Sequence, residues 1–368
     1  MPTFTPHQDA ALQAVSAWLQ AGPGSRGTPQ VFRLFGYAGT GKTTLARHLA
    51  DDVDGKVAYA AFTGKAALVM RRKGCPDAST IHSLIYRARE SGEETPSFEL
   101  WGEAPASKAK LIVIDECSMV DAELGRDLLS FGVPVLVLGD PAQLPPIQGG
   151  GFFTGAEPDA MLTEVHRQAA DDPIIHLSMA VREGEWIEPG RYGNSEVVRK
   201  SALDPERVLA ADQVLVGRNV TRRSYNTRLR ERRGFADPLP QADDKLVCLR
   251  NNRRKGLFNG GLWVVKERSA ARANTLGLRL TPDEGVGRGV KVTVRRECFT
   301  GGIEELDWQQ RKRNDEFDYG YVLTVHKAQG SQWDDVVLFD ESFAFPDSRA
   351  RWLYTGITRA ARRLTIVM

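Results

Sequence analysis

The stretch FGYAGTGKTT (35–44) restricts what this 368-residue chain can fold into more than any other segment. Gly36, Gly39 and Gly41 let the backbone bend without Cβ clashes, so that successive N–H groups can converge on an anion. The spacing Gly36-x-x-x-x-Gly41-Lys42-Thr43 fits the phosphate-loop pattern at every fixed position. In that pattern Lys42 reaches the β- and γ-phosphates and the Thr43 hydroxyl binds Mg²⁺. The flanks supply the context. VFRLF (31–35) reads as a buried strand, and Leu45, Leu49 and Val53 recur at helical spacing. A strand, a Gly-rich turn and a helix N-terminus form a phosphate-binding arrangement. The loop therefore predicts a nucleoside triphosphate site built on Gly36, Gly39, Thr40, Gly41, Lys42, Thr43 and Thr44. The competing reading, a Gly-rich turn with no ligand, leaves this context unused.

The rest of the chain predicts an α/β protein. Apolar runs at 57–62, 111–115, 133–140, 213–217, 336–339 and 364–368 alternate with helical stretches. Continuous apolar strands separated by helices argue for parallel sheets covered on both faces. The length fits about two domains. Two segments break the rhythm: residues 86–109 are polar, and residues 236–315 hold short alternating runs that read as a small antiparallel β unit. The N-terminus lacks a basic start followed by an apolar run, and no apolar run is long enough to span a bilayer. The four cysteines form no C-x-x-C pair, which argues against zinc and for a reducing cytoplasm. Net charge is only +2, but residues 218–233 carry seven arginines against one glutamate. Such a stretch suits either a phosphate backbone or a solvated surface.

Chemistry beyond binding is suggested by LIVIDECSMVD. Asp115 and Glu116 stand at a strand end, where one acid can hold Mg²⁺ and the next polarise water. Such a pair could also cap a helix, but two acids at this place beside a phosphate loop make that the lesser reading. Gln143 lies on a loop stiffened by Pro141, Pro145 and Pro146, where an amide can sense a γ-phosphate, or simply decorate a proline-rich turn. Arg167 and Arg359 are candidates for the positive charge that stabilises a phosphoryl-transfer transition state. Alone, each reads more readily as a surface arginine.

Taken in order, FTPHQ (4–8), GYAGTGKTT (36–44), AFTGKAA (61–67), STIHSLIY (79–86), VIDECSMVD (113–121), LGDPAQLPP (138–146), LTEVHRQ (162–168), TVHKAQGSQWDDV (324–336) and LYTGITRA (353–360) resemble the motifs of superfamily 1B DNA helicases, the RecD-like and phage Dda-like branch. Gln332 stands where that branch commonly has an acid, and Gly356 where it has Ala. The resemblance implies two RecA-like domains with ATP and Mg²⁺ between them. Residues 1–85 and 110–155 would form the first, and 156–235 with 316–368 the second. Residues 86–109 would be a strand-separating pin carrying Phe98 and Trp101, with Phe98 either a DNA-contacting tip or part of that insertion's own core, and 236–315 an SH3-like insertion. It also implies that Gln8 contacts adenine and that Gln329 and Gly330 lie at the nucleotide cleft. Arg167 and Arg359 would face Lys42 across it. Thr63, Gly64, Lys65, Thr80, His82 and Ser83 would contact single-stranded DNA on one domain, and Thr324, His326 and Lys327 on the other. The implied activity is ATP-driven 5′→3′ movement on single strands with unwinding at single/double-strand junctions, in replication, repair or recombination. A monomeric, cytoplasmic protein without membrane contact is expected. The competing readings are a translocase that strips proteins with little unwinding, and a nucleotide-gated binding module.

Overall fold

The computed structural model describes residues 4–24, 27–51, 53–88, 98–145, 151–164, 172–252, 255–269, 274–283, 289–307, 309, 311 and 313–368. Six parallel strands form the first sheet, in the order Ser79–Thr80, Val57–Ala61, Leu111–Asp115, Val135–Gly139, Val31–Gly36, Ala160–Leu162. Side chains alternate between faces with a period of two. Leu111 and Val113 accordingly enter one core with Leu45, Leu49 and Trp18, while Ile112 and Ile114 enter another with Leu124 and Leu128. Strands buried on both faces leave no room for polar alternation, which is why LIVID is continuously apolar.

The second sheet has the order Val322–Thr324, Gln213–Val216, Trp333–Phe339, Ala360–Val367, Ser195–Val198, Gly190–Tyr192. It is parallel except for the last strand, which returns as a hairpin. A third, antiparallel sheet runs Val290–Arg295, Thr275–Pro282, Leu262–Ser269, Lys245–Cys248, Phe317–Tyr319. It shares a core with the second: Val214, Val216 and Val337 pack in one cluster with Leu246, Trp263 and Val292. Tyr86–Ala88 and Phe98–Leu100 pair as a short antiparallel ladder within the expected pin segment.

Two boundaries expected from sequence are corrected. Ala160–Leu162 belongs to the first sheet, pairing with Leu34–Gly36, so that unit extends past residue 155. Phe317–Tyr319 belongs to the antiparallel sheet, pairing with Leu246–Cys248, so that sheet extends past residue 315. Both strands are three residues long and lack a readable period; only their hydrogen-bond partners assign them.

The arginine-rich stretch also divides. Arg230 forms a two-point pair with Asp244 at 2.9 Å through both Nε and Nη2, and its guanidinium lies 4.1 Å from the Tyr319 ring. Arg222 pairs with Asp318 at 2.7 Å. These cations fasten helix Asn219–Arg232 to the antiparallel sheet. Among the described residues no helix is long and apolar enough to cross a membrane.

Candidate nucleotide cleft and strand grooves

A cleft of about 380 Å³ opens between the two parallel-sheet units. From the first unit it is lined by Gly39 to Thr44, Asp115, Glu116 and Gln143, and from the second by Gly330, Gln332 and Arg359. Gly39 and Gly41 have φ of 79° and 80°, the left-handed region that favours glycine. Gly36 is needed for a different reason: a Cβ there would stand 2.6 Å from Thr40 Oγ1 and 2.8 Å from Leu162 Cβ. Lys42 Nζ donates to the carbonyls of Gly36 (2.5 Å) and Tyr37 (2.8 Å), and Thr43 Oγ1 donates to Asp115 Oδ2 at 2.9 Å.

Glu116 has φ 54°, uncommon outside glycine and a form of backbone strain that concentrates at functional sites. Its N–H donates to Asp115 Oδ1 at 2.9 Å. Desolvation raises the Glu116 carboxyl above the ordinary carboxylate range; Asp115 and Asp140 push it the same way, while Arg359 and Lys42 oppose. Gln143 is buried and its Oε1 has no hydrogen-bond partner among the described residues. The Arg359 guanidinium, 5 % exposed, is held by the carbonyls of Thr355 and Ser331 at 3.1 Å each and by Thr358 Oγ1 at 3.2 Å. Arg167 lies outside the described residues.

Two expected cleft residues sit behind its wall rather than on it. Gln8 donates from Nε2 to Thr40 O at 3.0 Å and accepts at Oε1 from Thr5 N at 3.0 Å, so its amide braces the phosphate loop from helix Pro6–Gln20. Gln329 donates to Leu144 O at 2.9 Å, tying the two units together.

Thr63, Thr80 and Thr324 share one local design. Each is an N-cap whose hydroxyl accepts a backbone N–H three residues on, from Ala66 (3.1 Å), Ser83 (3.2 Å) and Lys327 (3.3 Å). On the first unit Thr63, Gly64, Thr80, His82 and Ser83 line a groove of about 750 Å³ together with Trp101. Phe62, His82 and Tyr86 follow one another there at ring separations of 6.2 and 5.7 Å. Asn251 and Asn259 of the antiparallel unit close its far side. Lys327 lines a separate groove of about 580 Å³ with Arg222 and Arg223. Burial lowers both His326 and Lys327, the lysine also through Arg222.

Lys65 is placed apart from the other expected strand contacts. It is 7 % exposed, outside the groove, with Nζ 4.4 Å from the Trp333 ring of the second unit. One helical residue step rotates it about 100° away from Gly64 and into the seam. Phe98 opens the returning strand of the ladder, but its side chain lies outside the described residues. Sequence reading missed Tyr354, a buried phenol that touches the phosphate loop across the seam, although it stands inside the quoted LYTGITRA.

Residues 23–201 match the AAA domain family, and residues 319–367 the UvrD-like helicase C-terminal domain family. The chain is 30 % identical to the ATP-dependent RecD2 DNA helicase of Deinococcus radiodurans over 90 % of its own length and 46 % of that protein. It is 33 % identical to the ATP-dependent DNA helicase Dda of phage T4, over 41 % of its own length and 37 % of the phage protein. It thus spans less than half the length of either relative. A crystal structure of a Bacteroides Pif1 helicase with ADP-AlF3 and single-stranded DNA superposes with a TM-score of 0.59 at 17 % identity, over 99 % of this chain and 92 % of that one. At that identity the likeness concerns the fold: two RecA-like α/β units.

Proposed function

We propose that this chain, which matches the AAA domain and UvrD-like helicase C-terminal domain families and is similar to the RecD2 and Dda helicases, is an ATP-driven motor on single-stranded DNA that opens duplex at junctions. The observation that carries the reading is the cleft, where Lys42, Thr43, Asp115, Glu116 and Gln143 of one unit meet Arg359 of the other.

Lys42 neutralises the β- and γ-phosphates, and the N–H groups of Gly39 to Thr43 cradle them. The Thr43 hydroxyl and Asp115 carboxylate, 2.9 Å apart, are hard oxygen donors that suit Mg²⁺, which usually takes only one or two protein carboxylates beside phosphate. Bound there, the ion neutralises phosphate charge. Glu116, with its raised carboxyl, takes a proton from the attacking water, and Gln143 orients that water through its unpartnered Oε1. Arg359 offsets charge developing on the transferred group. Because the phosphates are gripped from both units, hydrolysis releases the bridge and the cleft reopens. The two grooves, one on each unit, then hold the strand in alternation. Opening one base pair costs about 1.4 kcal/mol, a modest load for one nucleotide per step.

Phosphate release with and without a single-stranded oligonucleotide tests this. Strand binding favours closure and so should raise the rate. A rate indifferent to oligonucleotide would favour a nucleotide-gated binding module instead, and stimulation by RNA alone would change the substrate.

A further inference from the structure

Helix Arg349–Ile357, which leads into Arg359, reaches the first unit through the side chains of Tyr354 and Thr355. Tyr354, 1 % exposed, accepts at its hydroxyl from Ala38 N–H (3.0 Å) and donates to Asp140 Oδ2 (2.6 Å). Thr355 accepts at Oγ1 from Leu144 N–H at 2.9 Å, and Gln329 Nε2 donates to the carbonyl of the same Leu144. Ala38 belongs to the phosphate loop. Asp140 and Leu144 bracket Gln143, the cleft residue whose Oε1 is buried without a partner among the described residues. On the other side, Arg359 Nε donates to the carbonyl of Thr355. The same helix end therefore holds both the guanidinium and the loop that carries Gln143.

We propose that Tyr354 is a positioning residue for nucleotide hydrolysis: its hydroxyl fixes the register of Arg359 against the phosphate loop and the Gln143 loop, so that both groups are aligned only in the closed cleft. The proposal rests on the hydrolytic reading above. A hydroxyl donating to a carboxylate at this length is a charge-assisted bond, stronger than a neutral one. Burial, and then the Asp140 charge, push the phenol well above its usual range, so it remains a donor at any ordinary pH. Asp140 Oδ1 separately accepts from Ala142 N–H at 3.0 Å, so the loop keeps a turn of its own when the phenol is lost. A phenylalanine at 354 would fill the same space without the two bonds across the seam.

The test compares Tyr354→Phe, Asp140→Asn and the double variant with wild type in the full chain. ATP turnover at saturating oligonucleotide, KM for ATP and the thermal midpoint are read for each. The expected result for Tyr354→Phe is a kcat lower by about tenfold, the size of one lost hydrogen bond to a charged group. KM should stay within about twofold, and the loss in the double variant should fall short of the product of the two single losses, because both substitutions act on the Tyr354–Asp140 bond. An unchanged kcat in a folded Tyr354→Phe protein would overturn the proposal. So would a parallel loss of kcat, ATP affinity and thermal midpoint, which marks packing alone. The wild-type rate judges the hydrolytic reading, and the ratio of variant to wild type judges the tyrosine, so the tyrosine can fail while the hydrolytic reading stands. A wild type with no turnover overturns both.

Discussion

Thr43 Oγ1 lies 2.9 Å from Asp115 Oδ2, so a hydroxyl at the start of the phosphate-loop helix and a carboxylate two strands away share one corner of the cleft. Asp115→Asn keeps an acceptor for Thr43 and removes the charge. The Mg²⁺ concentration that gives half-maximal turnover should then rise by at least about tenfold, with the fold unchanged. A magnesium titration of turnover checks this. An unaltered titration would separate Asp115 from the metal.

With Glu116 as the proposed proton acceptor, its carboxyl sets the acid limb of the rate. Only its charged form accepts a proton, so turnover falls as pH drops through its carboxyl pKa. Desolvation raises that pKa, which places the limb above that of a free glutamate. Arg359 is the largest opposing influence. Removing its charge in Arg359→Gln should lower kcat and move the limb of the residual activity to higher pH. Asp140→Asn removes a charge that raises the pKa and should move the limb the other way. Glu116→Gln should bind ATP and lose about 10²–10⁴-fold in turnover. Rate–pH profiles of these variants decide the assignment; limbs that stay in place contradict it.

Gly330 meets the first unit at close range. Its φ is +71°, and a Cβ would stand 2.9 Å from Ala66 Cβ and 3.2 Å from Thr63 Oγ1. Gly330→Ala therefore adds a left-handed backbone cost of about 1–2 kcal/mol and a contact that only the closed cleft feels. Oligonucleotide-stimulated turnover should fall more than basal turnover. Equal losses in both would show a folding defect instead.

How far the sequence predicts this arrangement follows from how local each feature is. The phosphate loop, Asp115 and Glu116 are legible because their chemistry is fixed within a strand, a turn and a helix start. The burial of LIVID on both faces follows from its unbroken apolar run. Ala160–Leu162 and Phe317–Tyr319 carry no period of their own, so their sheets are set by partners distant in sequence, such as Leu34 for Ala160 and Leu246 for Tyr319. Lys65 reads as a strand contact because it adjoins Thr63 and Gly64, yet helix rotation turns it under Trp333. Tyr354 depends on Ala38, 316 residues away, a relationship that no local pattern encodes. Gln8 satisfies two backbone groups within its capping box and the phosphate loop, an arrangement visible only once the two are packed.

Trp101 lines the first groove beside His82 and Ser83, just after the ladder expected to act as a pin. Stacking on a terminal base is worth about 1–3 kcal/mol, comparable to opening one pair. Trp101→Ala should leave oligonucleotide-stimulated hydrolysis and movement on single strands largely intact while unwinding falls several-fold. Stopped-flow translocation and unwinding on the same preparation check this. A parallel fall in all activities would assign Trp101 to packing.

The most direct test of the motor is strand separation on duplexes bearing a single-stranded tail at either the 5′ or the 3′ end, with ATP, without ATP, and with Lys42→Ala. The account predicts ATP-dependent unwinding of the 5′-tailed duplex, little from the 3′-tailed one, and none from the lysine variant. Unwinding that proceeds without ATP, that survives Lys42→Ala, or that requires the 3′ tail would contradict it.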